Sequence, residues 1–150
     1  MIELVATIII TVSSVLLFGY WFRYTCLLIL SAKTTRDFAC DVVTANQLGF
    51  LEVQAQLRAS TGDLDSLRDM LDRDYAVLNG LLKQAAGDPS FEGSSLEENM
   101  LAVNYRVMRA CYSVTGAFSP TAARKALEEM SMVVAHFANA MGQQSAGAAA

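Results

Sequence analysis

From Leu4 to Phe22 the chain reads LVATIIITVSSVLLFGYWF, without a charged residue. As an α-helix rising 1.5 Å per residue, this stretch covers about 28 Å, close to the ~30 Å hydrocarbon thickness of a bilayer, so it is expected to cross one. A cleaved signal peptide would open on a basic region and carry a shorter apolar core, whereas this chain opens on Met1-Ile2-Glu3. Tyr20, Trp21 and Tyr24 gather around Arg23; amphipathic rings beside a cation are what a helix carries where it meets the headgroups. These four residues form the expected membrane-interface set. Beyond them Leu27, Leu28, Ile29 and Leu30 stay apolar, although the length argument places them clear of the hydrocarbon. Either the helix tilts and draws them into the membrane, or a protein surface covers them. They are the candidate interaction residues.

After Lys33 the pattern turns amphipathic with no Pro or Gly to mark a break. One continuous helix is therefore expected from the span to about Ser60, its stripe made by Ala39, Val42, Val43, Asn46, Phe50, Val53 and Leu57 at spacings of three and four. Gly49 inside it weakens the helix locally by about 1 kcal/mol relative to alanine. Ser60-Thr61-Gly62 offers a left-handed C-terminal position and Asp63 a cap for the next helix. That helix should bury Leu64, Leu67, Leu71, Tyr75, Leu78, Leu82 and Ala85, with Asp69 and Arg73 paired one turn apart on its solvated face. A loop over Gly87-Asp88-Pro89-Ser90 and Gly93-Ser94 leads to Ser95-Leu96-Glu97-Glu98, which has the form of a capping box. The stripe of the third helix is expected to run Leu96, Met100, Val103, Val107, Cys111, Val114, widened by Leu101, Tyr105, Met108 and Tyr112. Gly116 closes it, and Ser119-Pro120 opens a fourth helix that buries Leu127, Met130, Val134, Phe137 and Met141. Strand patterns are absent. The expected fold is all-α: a transmembrane helix continuing into an antiparallel four-helix bundle, divided as anchor 1–33, helical bundle 34–141 and flexible tail 142–150.

Charge refines this picture. Of 11 Lys and Arg and 15 Asp and Glu, only Arg23 and Glu3 lie within the first 31 residues. The net charge of −4 therefore belongs to the helical domain, and an acidic surface argues against a nucleic-acid partner. Arg23, Lys33 and Arg36 follow the span and no Lys or Arg precedes it, so the domain is expected on the cytoplasmic side of the cell membrane. The three cysteines, Cys26, Cys40 and Cys111, are odd in number and lack CxxC spacing, so neither a disulfide framework nor a zinc knuckle is written here.

Catalytic chemistry finds little footing. His136 is the sole histidine, and with Cys40 and Cys111 it would complete a three-ligand metal site only if the fold gathered all three; nothing in their spacing requires that, and cysteines on or beside apolar stripes commonly act as small hydrophobes. With one histidine, no pairing of base and nucleophile can be picked out. The acidic run of Asp65, Asp69 and Asp72, interleaved with Arg68 and Arg73, lacks the loop glycine and terminal glutamate of an EF-hand. No catalytic residue, cofactor or metal is expected, and no small-molecule substrate can be named.

Ile2-Glu3-Leu4-Val5 followed by an unbroken apolar helix resembles the start of a mature type IV pilin. That resemblance implies a filament subunit that self-assembles through its hydrophobic N-terminal helix, with a glutamate aiding assembly. The chain departs from the pilin pattern in placing its glutamate third rather than fifth and in carrying a helical head. The leading expectation is a non-catalytic interaction or scaffold protein, held in the bilayer and serving as an accessory subunit of a larger membrane assembly, with a membrane-protein partner or a homo-oligomer as its complex. A transmembrane signalling module, with the first helix conveying a movement, is a third possibility.

Overall fold

The computed structural model describes residues 1–32, 37–85 and 95–148. Among them every regular element is helical: α1 (Ile2–Ser31), α2 (Ala39–Asn46), α3 (Phe50–Arg58), α4 (Leu64–Ala85), α5 (Ser95–Thr115) and α6 (Pro120–Ala148). The chain divides into two compact units, Met1–Ala32 and Lys33–Ala150.

The first unit is α1, long and apolar enough to cross a membrane. Its threonines do not strand polar groups in an apolar setting. The hydroxyls of Thr7, Thr11 and Thr25 donate to the carbonyls of Glu3, Thr7 and Trp21 one turn back, at 2.8, 2.8 and 2.9 Å, which satisfies them within the helix itself.

The expected unbroken helix from the span to Ser60 is corrected at two places. Ala32 leaves α1 in an extended conformation with ψ 120°, and at Asp37 the chain enters α2, where the Asp37 carboxylate accepts a hydrogen bond from the Ala39 N–H at 3.0 Å. A second break separates α2 from α3: Gln47 adopts the left-handed conformation, φ 52°, and the Leu48 N–H reaches back to the Val43 carbonyl at 3.2 Å. This detour turns Leu48 inward and frees the start of α3 for a cap from another helix. The buried carboxylate of Asp74 on α4 accepts from the Gly49 N–H at 2.7 Å and also from the Phe50 N–H. Burial pushes that carboxyl above the usual carboxylate range, against the pull of both N–H groups and of Arg73.

The remaining boundaries follow the local signals closely. Ser60, φ 55°, and Gly62, φ 91°, make the reversal into α4, and Asp63 accepts from the Ser66 N–H at 3.1 Å, satisfying a first-turn amide. Ser119 caps α6 through the Ala122 N–H, and Pro120 stands first in that helix. Residues 86–94, including the Gly-, Pro- and Ser-rich connection, lie outside the described residues, as do Lys33, Thr34, Thr35 and Arg36. The side chain of Ser95, on which the capping box depends, falls there too.

Helix α6 is the hub, packing on α2, α3, α4 and α5. It buries Ala123, Ala126, Leu127, Met130, Val133, Val134, Phe137 and Ala138, a span too wide for one stripe because neighbours approach from several sides. The helices around it bury Phe50, Val53 and Leu57 of α3, Leu67, Leu71 and Leu78 of α4, and Leu101 and Tyr105 of α5. Helix α6 also continues past Met141 to Ala148. Gly142 in that continuation is buried, so close to Phe38 that a β-carbon there would overlap the Phe38 ring stem.

Candidate interaction surface

The residues expected at the membrane interface share one turn of α1. The Tyr20 and Tyr24 rings stack with centroids 6.3 Å apart, and Trp21 meets Tyr24 edge-on at 6.1 Å. Tyr20, Trp21, Arg23 and Tyr24 are all exposed. In the collar that follows, Leu27 and Leu28 are exposed, whereas Ile29 and Leu30 are half-buried.

In the second unit α5 departs most from the sequence pattern. The residues expected merely to widen its stripe, Leu101, Tyr105, Met108 and Tyr112, are the buried ones, together with Asn104. The expected principal stripe lies outside. Leu96 is 73% exposed, Val103 45%, Val107 44% and Val114 67%, and Phe118 just beyond the helix is 87% exposed. Met100 is half-buried, and Ala110 and Cys111 are exposed on the same flank. The strip itself is uncharged, with the exposed Arg106 flanking it beside Val103. Periodicity could not separate the two rows because Leu101, Met108 and Tyr112 each follow an outer residue by one position and Tyr105 follows Val103 by two, so both carry the same three-and-four spacing.

Polar contacts decide which row turns inward. Asn104 donates to the Glu129 carboxylate at 2.8 Å in the buried seam between α5 and α6, and His136 Nε2 lies 3.5 Å from Glu97. On the α4 side, Asp72 accepts from the Tyr105 hydroxyl at 3.0 Å and from Arg109 Nε at 2.8 Å, while the Tyr112 hydroxyl donates to Asp65 at 3.0 Å. Asn104, Tyr105 and Tyr112 reach these partners from the inner row, and Arg109 joins from its exposed edge. With the inner face buried, Glu129, Asp72 and Asp65 are each paired with a donor from α5, and the outer valines remain exposed.

The same layer explains the perturbed tyrosines. Burial and the Asp72 carboxylate push the Tyr105 phenol far above its ordinary range; burial and Asp65 push Tyr112 up to about 12. Tyr75 lies flat on Tyr105, centroids 3.9 Å apart and planes 4° from parallel, and burial raises its phenol as well. Arg68 bonds Asp65 and Asp69 at 3.0 and 2.7 Å and sits 5.6 Å over the Tyr112 ring. The local ion pairs of α4 therefore centre on Arg68 rather than on the expected Asp69 and Arg73 pair. These groups hold α4 to α5 and show none of the nucleophile–base geometry that catalysis requires.

The histidine and cysteines do not converge. Cys40 and Cys111 are exposed, which corrects the expectation that Cys111 packs as a small hydrophobe. His136 is largely buried, and burial lowers its pKa while Glu97 pulls it upward. Among the described residues no three of His, Cys, Asp and Glu gather closely enough to hold a metal ion. Among the described residues, cavities of 310–440 Å³ open at the surface. One, between α4 and α5, is rimmed by Lys83, Glu98 and Arg106; another is an apolar groove between α2 and the end of α6.

No family model matches the chain, and no curated protein or solved structure matches it.

Proposed function

We propose that the protein is a non-catalytic, membrane-anchored interaction or scaffold subunit, whose α1 crosses the bilayer and whose helical domain presents α5 to a partner. The observation that carries this reading is the uncharged strip Leu96, Val103, Val107, Val114 and Phe118, left exposed on an otherwise well-packed domain. Exposed contiguous apolar patches on soluble domains mark interaction sites more often than chance. The domain is read as an antiparallel four-helix bundle in which α2 and α3 together make one rod. Supporting this, the Phe38 N–H meets Asn139 and the Leu57 carbonyl meets Arg124, so residue numbers rise along α2 and α3 as they fall along α6. Arg23, Lys33 and Arg36 favour a cytoplasmic domain, the side on which a reporter fused after Ala150 is expected to be active; activity only outside would favour the filament reading.

The decisive experiment is affinity purification of the tagged full chain from membranes in mild detergent, in parallel with V103E/V107E. With an untagged copy of the chain expressed alongside, the wild-type chain should carry a membrane protein with it, either another protein or that untagged copy, and the double variant should lose it while retaining its helical circular dichroism. Identical copurifying proteins for both chains would remove α5 from the proposal.

A further inference from the structure

We infer that the strip on α5 is the seam of a homodimer, occupied by α5 of a second copy of this chain; this rests on reading the strip as an interaction surface. Leu96, Met100, Val103, Val107, Ala110 and Val114 are spaced 4, 3, 4, 3 and 4 along the sequence. Leu96, Val103 and Ala110 thus recur every seven residues, as do Met100, Val107 and Val114, which is the heptad of a coiled-coil seam and calls for a helix of the same pattern as its partner. The parallel row on α5, Leu101, Tyr105, Met108 and Tyr112, is already buried within the domain. A second α5 matches the outer seam in length, spacing and lack of charge, and pairing identical strips about a two-fold axis gives a closed, self-complementary contact.

The size of the strip fits a dimer formed within a membrane. From Leu96 to Val114 it extends about 27 Å along a helix roughly 10 Å wide, a contact at the weak end of specific interfaces, below about 1,200 Å² in total. Two soluble domains would hold together poorly through so little area. Copies anchored by α1 share one membrane plane, and confinement raises their effective concentration without any added contact. Dimerisation should therefore require both the seam and the anchor.

The test uses the full chain in lipid vesicles, with its three cysteines replaced by alanine and one cysteine returned at a chosen position. V107C, on the seam, should be joined to a second copy by a short bismaleimide, whereas V77C, exposed on α4, should not. Adding V103E to V107C places an acid in the apolar seam of each copy and should cut the cross-linked fraction about tenfold, with the helical circular dichroism unchanged. Three results would overturn the dimer: no cross-linking of V107C, equal cross-linking of V77C, or indifference to V103E, which would mean that α1 alone brings copies together. If V107C stays uncross-linked while V103E/V107E still loses a different membrane protein on purification, the homodimer fails and the interaction reading stands. If neither effect appears, both fail.

Discussion

Replacing Phe137 by alanine is expected to destabilise the helical domain by about 3–5 kcal/mol, since a buried aromatic is lost and its neighbours cannot collapse into the space. Phe137 is 1% exposed and its ring stacks on Tyr75 with centroids 5.9 Å apart. Tyr75 in turn lies flat on Tyr105, so one side chain of α6 backs the aromatic layer that joins α4 to α5. A loss of that size is a large share of the 5–15 kcal/mol that holds an ordinary domain, and it should lower the melting temperature by about 10–20 °C. Phe118→Ala is the matched comparison. That ring stands in solvent, and its removal should change stability by no more than about 0.5 kcal/mol. Thermal melts followed by circular dichroism decide the matter; equal losses for the two variants would mean that the layer around Phe137 is not the core described here.

How far the sequence foretold this arrangement depends on where each signal resides. The caps at Asp63 and Ser119, and the reversal at Ser60 to Gly62, are local. Each satisfies backbone groups a few residues away, and each was readable. The break after Ser31 was less so, because no Gly or Pro marks it; Asp37, whose carboxylate accepts from the Ala39 N–H just ahead of α2, was the available clue. The break at Gln47 is settled from afar, by an Asp74 carboxylate that reaches the Gly49 N–H from α4; Gly49 marked the helix as weak there but did not by itself announce a break. For α5 the sequence carried the right residues and the wrong face. Two rows of equal spacing differ only in that Asn104 finds Glu129, Tyr105 finds Asp72 and Tyr112 finds Asp65. The candidate surface was therefore visible in the sequence only as a core. Seeing it as a surface required knowing which partners lay opposite.

The docking of α2 supplies the second large effect, and the residue to change is Gly142. It is buried on the extension of α6 beyond Met141, where a β-carbon would overlap Cβ of Phe38 and lie 2.8 Å from its Cγ. The obstacle is the stem of a side chain rather than its mobile tip, so it cannot swing aside without moving backbone. That backbone is itself held, because the Phe38 N–H donates to Asn139 Oδ1 at 2.8 Å. Gly142→Ala must therefore push the start of α2 off α6, at a cost of about 1–3 kcal/mol, the usual range for overpacking a closed site. Alanine's better helix propensity returns at most about 1 kcal/mol of this. Gly49→Ala provides the contrast, since the atom nearest its new β-carbon is the flexible Met70 Cε at 2.7 Å, which can rotate away. The loss at Gly142 should also be local. Hydrogen exchange should quicken across Ala39 to Asn46 while the amides of α4 and α5 keep their protection, because those helices meet α6 before its last turns, at Phe137 on Tyr75, Glu129 on Asn104 and His136 beside Glu97. Uniform loss of protection throughout the domain would show that α2 unfolds only together with the rest. Unchanged exchange in α2, with stability equal to wild type, would mean that Phe38 does not rest on Gly142 in solution.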